Sequence, residues 1–316
     1  MLFRARRDPA ADLLAAPESL AAVLAEVRRI ELQSRRLVTD VLAGGYRSTF
    51  RGAGVEFADV REYVEGDDPR SVDWNVTARV GRPFVKRFVE ERELTVLFAL
   101  DLSASMHGGL GAWSLRQAAA RFVALMGLAA IANNDRVGLI AGGGAVQRFV
   151  PPRKGAGHVL RVVRDVLRLQ PTTPGSNLPA LAAEALRRLR RRTIVFLLTD
   201  MLPLPATGRD LALCGARHDT VAVWLQAHEL LQPPPLLLRS RAPETGAQQL
   251  LDLRHPAVRA AQAQRLAAWL EEGRALLQRA RIDCVELPLP AQPDLQAVVT
   301  PLQRFFRRRE LREARR

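Results

Sequence analysis

A chain of 316 residues, 48% hydrophobic and 25% charged, has the length for one large domain with an elaboration or for two modest ones, and a composition that excludes wholesale disorder. Its net charge of +14 and pI near 11.3 invite a phosphate-binding reading. Almost all the positive residues are arginine, with Lys86 and Lys154 the only lysines, and at 5% aromatic content no stacking platform for single strands is evident, so nucleic acid is disfavoured.

In chain order, Met1 to Arg7 leads into Asp8, Pro9 and alanines rather than an apolar stretch. No export signal is visible, and the expected location is the cytoplasm. Glu18 to Leu42 carries Leu20, Val23, Leu24, Val27, Ile30, Leu37, Val38 and Val41 at near-helical spacing, which predicts an amphipathic helix closed by Gly44 and Gly45. Tyr46 to Phe50 and Val55 to Val64 read as short strands and loops. Asp68 before Pro69 fits an N-cap with proline at the first helical position, and predicts a short helix running through Trp74 and Ala78. The acids around it, Asp59, Glu62, Glu65, Asp67, Asp68 and Asp73, are expected to cap helices and to pair with Arg61, Arg70 and Arg79. A strand from Pro83 to Val89 ends a first segment, residues 1–92.

From Leu94 the pattern alternates strands and helices, the signature of a parallel sheet covered on both faces. Leu94 to Leu100, Val137 to Ile140, Thr193 to Leu198 and Thr220 to Leu225 are near-continuous apolar runs, as strands buried on both sides require. Ser114 with Gln117 forms a capping-box pattern ahead of a helix that Asn133 and Asn134 stop. Its wholly apolar part, Phe122 to Ala132, is too short to cross a bilayer; no transmembrane segment is expected, and peripheral membrane contact is left open. Val146 to Val150, directly after Gly142 to Gly144, predicts an antiparallel edge strand. His158 to Leu169 and Leu178 to Leu189 are further amphipathic helices. The proline-rich stretch from Gln232 to Pro243 carries no clear element. A long helix from Pro256 to Ala280 and a strand from Cys284 to Leu287 complete an α/β domain, residues 93–290. From Pro301 onward seven arginines face two glutamates, so residues 291–316 read as a basic helix or solvated tail. Cys214 and Cys284 lie far apart with no metal-ligand spacing and read as buried thiols.

The chemistry concentrates at the ends of the predicted strands. Asp101, Ser103 and Ser105 come directly off the first strand of the α/β domain at alternate positions. Three oxygen-bearing side chains on one tight turn suit a hard cation, Mg²⁺ or Mn²⁺. In an open α/β sheet, ligands bind beyond the carboxyl ends of the strands. The loop Thr172 to Asn177 and the strand end at Thr199 and Asp200 open on that same edge if the sheet is doubly wound, so Ser176 and Asp200 complete a candidate oxygen cage. Ser105 as a turn hydroxyl, Asn177 as a helix N-cap and His107 as a loop-packing residue are the simpler alternatives at those positions.

This constellation resembles the metal-ion-dependent adhesion site of the von Willebrand factor A domain. Asp101, Ser103 and Ser105 match its D-x-S-x-S element, Ser176 sits where that family has threonine and keeps the hydroxyl, and Asp200 matches its last aspartate. Met201 stands in place of the glycine that often follows. A second resemblance spans the whole chain: GVEFADVREYVEGDDPRSVDWNVTAR, then VKRF and DLSASM, is similar to the bacterial domain-of-unknown-function 58 family, which couples such a signature to a von Willebrand A-like domain. The resemblance implies a doubly wound, mostly parallel α/β fold and a role beside a MoxR-type AAA+ ATPase acting on a client protein. The expected function is a non-enzymatic adaptor that grips a partner's carboxylate through a divalent metal held by Asp101, Ser103, Ser105, Ser176 and Asp200. Two alternatives stand beside it, a metal-dependent phosphoester hydrolase using Asp101 and Asp200, and nucleic-acid binding through the arginine-rich C-terminus. The sequences G-x-S-x-G, H-E-x-x-H and a Walker A loop are absent, so serine-hydrolase, zinc-protease and NTPase readings lack support.

Overall fold

The computed structural model describes residues 20–38, 45–46, 49–50, 56–89, 93–109, 111–206, 208–241 and 247–313. Glu18, Gly44, the Gly52 and Gly54 stretch, Arg315 and Arg316 lie outside these residues, as do the side chains of Asp59 and Lys86. The first helix, α1, spans Leu20–Leu37. Two strands, β1 (Glu56–Glu62) and β2 (Phe84–Val89), pair antiparallel and enclose a short helix, α2 (Trp74–Val80).

The helix expected to run from Pro69 through Ala78 is in fact two elements. A single 3-10 turn, Pro69–Ser71, is capped by Asp68, whose carboxylate accepts from the Arg70 amide at 2.9 Å. Asp73 then caps α2 by accepting from the amides of Asn75 and Val76. Val72 between them is extended and bridges Val85, which breaks the helical path. Tyr46 and Thr49, read as strand or loop, are helical.

The α/β part is doubly wound, as the sequence predicts. Its strands are β3 (Thr95–Asp101), β4 (Arg136–Gly142), β5 (Val146–Arg153), β6 (Ile194–Thr199), β7 (Asp219–Gln226) and, after a separate hairpin of β8 (Leu237–Arg241) with β9 (Gln248–Asp252), β10 (Asp283–Pro288). They form one sheet in the order β10-β7-β6-β3-β4-β5, parallel except for the antiparallel edge strand β5. The helices are α3 (Leu115–Ala132), α4 (Ala156–Arg168), α5 (Leu178–Arg188), α6 (Arg209–Arg217), α7 (His228–Leu231), α8 (Pro256–Arg279) and α9 (Gln296–Glu313).

Strand periodicity divides the interior in two. Val96, Phe98 and Leu100 of β3 and Ile194, Phe196 and Leu198 of β6 face a core shared with α1, α3, α4 and α9. Leu97 and Ala99, with Val195 and Leu197, face a second core against α5, α6 and α8. Successive side chains on a strand point to opposite faces, so two buried layers demand the unbroken apolar runs seen in the sequence. By length and composition α3 is apolar enough to cross a membrane, but it is buried almost all round between the sheet and its helical neighbours. Its predicted capping box is present, Ser114 and Gln117 bonding each other's backbone amides.

The ends of the chain join the first core instead of standing apart from it. Val23, Val27 and Ile30 of α1 are buried, as are Val298, Val299, Leu302, Phe305 and Phe306 of α9. Phe196 stacks on Phe98 at 5.7 Å and meets Phe122 and Phe50 edge-on at 5.3 and 5.9 Å, while Phe50 meets Phe306 edge-on at 6.1 Å. Such pairs each contribute about 0.5–1.5 kcal/mol beyond burial, so the sheet, the segment before β1 and α9 are fastened together. Part of the arginine-rich end is likewise internal. Arg309 pairs with Asp219 and Asp283 at the starts of β7 and β10 and lies over the rings of Phe50 and Phe305.

Candidate functional site

Three loops meet at the carboxyl edge of β3 and β6. The first leaves β3 at Asp101 and turns into a short 3-10 segment, Ala104–His107, stitched to β4 by a bond from the Leu102 amide to the Gly142 carbonyl at 2.9 Å. The second runs from Gln170 to Asn177 ahead of α5. Gln147 of β5 holds its start, donating to the Gln170 carbonyl at 2.6 Å and accepting from the Thr172 amide at 2.7 Å. The turn between β4 and β5 holds its end: the Gly144 amide donates to the Thr173 carbonyl, and the Asn177 side chain donates to the Gly144 carbonyl. This approach requires glycine, because a Cβ on Gly144 would lie 2.2 Å from the Pro174 carbonyl oxygen. The third loop leaves β6 at Thr199 and Asp200.

Their side chains form one polar cluster. Asp101 is 0% exposed; its Oδ1 accepts from the Ser103 amide at 2.9 Å, and its Oδ2 accepts from the hydroxyls of Ser176 at 2.7 Å and Thr199 at 3.0 Å. The hydroxyls of Ser103 and Ser105 lie 3.1 Å apart. Asp200, 2% exposed, accepts from the Leu202 amide through Oδ1, whereas its Oδ2 is buried without a hydrogen-bond partner among the described residues. Burial pushes the Asp200 carboxyl up to about 7; the Asp101 carboxylate adds to the rise, and the Ser105 hydroxyl and Leu202 amide pull the other way. Burial also raises Asp101, against the bonds from Ser176, the Ser103 amide and Thr199. Two buried carboxylates, one raising the other's proton affinity and one with an oxygen left unsatisfied, are short of positive charge.

The five residues singled out in the sequence therefore share one site. Among the described residues no three His, Cys, Asp or Glu side chains come together as a metal cluster, so any cage here draws on hydroxyls as well as on Asp101 and Asp200. That oxygen-only set is of the kind a hard divalent cation takes. The Ser105 hydroxyl faces that of Ser103 within the same turn. Asn177 does cap α5, its Oδ1 accepting from the Ala180 amide at 3.0 Å. His107 packs within the loop, its Nε2 3.5 Å from Arg116 Nη2, and burial, with Arg116 beside it, pushes its pKa down to about 4.

Three further residues complete the surroundings of the site. Thr199, one position before the matched aspartate, bonds Asp101 and also accepts from the Met201 amide at 2.9 Å. Arg116 is a buried guanidinium that feels the Asp101 charge; its Nη1 donates to the Val166 and Leu169 carbonyls at the end of α4. The signal was there, because α3 is apolar on every side and any arginine in its first turn must be buried. Met201 has φ +59°, the left-handed region where glycine is at ease. Here a methionine takes the conformation, buries its side chain in the second core and accepts from the Trp269 indole at 3.4 Å.

Several known proteins are similar to this chain. BatB from Bacteroides thetaiotaomicron is 14% identical, with 67% of this chain and 97% of that one covered and a TM-score of 0.39. The SpRpn10 VWA domain is 12% identical, with 66% and 94% covered and a TM-score of 0.38. Uncharacterized proteins of Mycobacterium bovis and Mycobacterium tuberculosis are 31% identical over 237 residues, 74% of this chain and 72% of each relative. The family model described as "Protein of unknown function DUF58" matches residues 59–271, from β1 into α8. The chain belongs to the DUF58 family.

Proposed function

We propose that this protein is an interaction module whose site at the carboxyl edge of the sheet takes a divalent cation, Mg²⁺ or Mn²⁺, and through it a carboxylate of a partner protein. The observation that carries this reading is the convergence of Asp101, Ser103, Ser105, Ser176 and Asp200, with a buried oxygen of Asp200 left without a hydrogen bond. When bound, the cation would supply the positive charge the two carboxylates lack and a coordination position for an incoming carboxylate. Asp101 and Asp200 would hold it from opposite loops, with the serine hydroxyls filling in without adding negative charge. A MoxR-type AAA+ ATPase is the partner the family resemblance suggests, with a client protein still to be named.

The test is thermal unfolding with Mg²⁺ and with EDTA, alongside capture of the ATPase by the immobilised full chain. Ligand at one hundred times its Kd stabilises a folded protein by about 2.7 kcal/mol, a readily measured rise in Tm. Asp101→Ala is expected to abolish both the Mg²⁺-dependent rise and the capture; a variant that retains both would refute the metal reading.

A second reading, metal-dependent phosphoester hydrolysis by Asp101 and Asp200, rests on the same two buried carboxylates. Phosphoester turnover that disappears with EDTA and in Asp200→Asn would favour it over the binding reading.

A further inference from the structure

The opposite edge of the sheet is built from the amino ends of its parallel strands, and it collects arginine. Arg190, Arg191 and Arg192 form the turn before β6, Arg217 ends α6 immediately before β7, Arg281 precedes β10, and Arg153 ends the antiparallel β5. All six are exposed, and none forms an ion pair among the described residues. The carboxylates at this edge are already engaged. Glu93 pairs with Arg136 and Lys154, Asp219 and Asp283 pair with Arg309 and Arg312, and Asp135 is buried, accepting from Tyr46 and the Leu94 amide at 2.7 Å each.

The backbone beneath the arginines is pinned. Arg217 donates to the Arg190 carbonyl at 3.3 Å, the Thr193 hydroxyl donates to the Arg191 carbonyl at 3.1 Å, and the Asp219 amide donates to the Thr193 carbonyl at 2.9 Å. Under them lies His218, 2% exposed with neither ring nitrogen hydrogen-bonded, and burial together with the positive field of Arg217 and Arg192 pushes its pKa down to about 4. A neutral imidazole below and unpaired guanidiniums above leave this edge strongly positive.

We propose that this arginine edge docks the protein on an anionic phospholipid surface. Arginines spread over successive strand starts meet a plane of headgroups together, and clustered basic residues are drawn to anionic leaflets. Leu213, 49% exposed one turn before Arg217 on α6, offers an apolar side chain beside the cations, as a headgroup region accommodates and a phosphodiester backbone does not. None of the exposed residues named at this edge carries an aromatic ring on which a base would stack. Docking in this way leaves the Asp101 cluster on the far edge, about 20 Å away along β3 and turned from the membrane.

Co-sedimentation of the full chain with vesicles tests this. The wild-type protein is expected to sediment with mixed phosphatidylserine–phosphatidylcholine vesicles and not with pure phosphatidylcholine, and to be released as ionic strength rises. Arg190→Glu/Arg191→Glu/Arg192→Glu is expected to lower the bound fraction by about tenfold or more, while Arg190→Lys/Arg191→Lys/Arg192→Lys keeps most of it. Arg217→Glu/Arg281→Glu supplies the same test should the triple reversal fail to give a cooperative melt. Asp101→Ala is expected to bind vesicles normally, which separates this proposal from the metal reading. No preference for phosphatidylserine, full binding by both charge-reversed variants, or displacement of the wild type from vesicles by short duplex DNA at equal phosphate concentration would overturn it.

Discussion

At the carboxyl edge of the sheet Asp101 and Asp200 are 0% and 2% exposed and sit among hydroxyls, whereas at the amino edge Arg190, Arg191 and Arg192 stand in solvent. Both edges carry like charges close together, but at very different cost. A buried carboxylate loses its hydration and must be compensated by hydrogen bonds, a proton or a cation. An exposed guanidinium keeps its water, and its repulsion from neighbours is screened by salt. The difference teaches what each proposal rests on: the first on a fixed three-loop geometry, the second on a summed field that no single residue controls.

The largest expected break in this comparison is steric. Gly144→Val puts a Cβ within 2.2 Å of the Pro174 carbonyl oxygen, so the loop carrying Ser176 must move. The expected cost is about 3 kcal/mol, read from the urea midpoint, with loss of any Mg²⁺-dependent rise in Tm. Arg191→Val at the other edge is expected to change stability by no more than about 0.5 kcal/mol. Equal losses from the two variants would show that the three-loop junction is not tightly packed.

A second, smaller effect is pH dependence. Asp200 is raised from an ordinary 3.8 to about 7 and Asp135 to about 6, both chiefly by burial. A carboxyl raised in the folded state favours folding in its protonated form. Its contribution is therefore fully present below the ordinary carboxylate range and is lost as pH rises through the folded value. In EDTA the metal-free protein is expected to lose stability relative to Asp200→Asn between about pH 4 and pH 7, while His107 and His218, each lowered to about 4 chiefly by burial, add an opposing slope that both proteins share. Mg²⁺ should reverse the loss most at the upper end, where it no longer competes with a proton. Charge reversal at Arg190 and Arg191 should leave this difference unchanged; a difference that moved with those variants would place its origin at the wrong edge.

These expectations rest on a site that local sequence makes unusually legible. Strand runs such as Thr193 to Leu198 leave no polar face, so a sheet buried on both sides follows, and the carboxyl ends of its strands follow from that. The capping box at Ser114, the cap at Asn177 and the edge strand after Gly142 to Gly144 are set by neighbours within a few residues. What sequence obscured was long-range or crowded by a louder signal. Val298, Leu302, Phe305 and Phe306 of α9 recur at helical spacing, but the arginines among and after them make the segment read as a basic helix or solvated tail and not as part of the core. The β8–β9 hairpin follows a proline run that suggests no element at all. Thr199 gives no motif, and only the pairing of β3 with β6 shows that its hydroxyl reaches Asp101.

The smallest expected effect separates two adjacent residues that the sequence leaves ambiguous. Asn177 accepts from the Ala180 amide and donates to the Gly144 carbonyl, so Asn177→Ala is expected to cost about 1 kcal/mol through the lost cap. Ser176 instead donates to Asp101, and it is half-buried, so water can replace part of that bond and Thr199 retains another. Ser176→Ala is therefore expected to cost less in metal-free stability than Asn177→Ala, yet to weaken the Mg²⁺-dependent rise in Tm more. The two measurements rank the pair in opposite order only if the hydroxyl belongs to the site and the amide to the helix. The same ranking in both would mean that the whole loop acts through stability alone, and the contrast between a geometric edge and an electrostatic one would lose its first half.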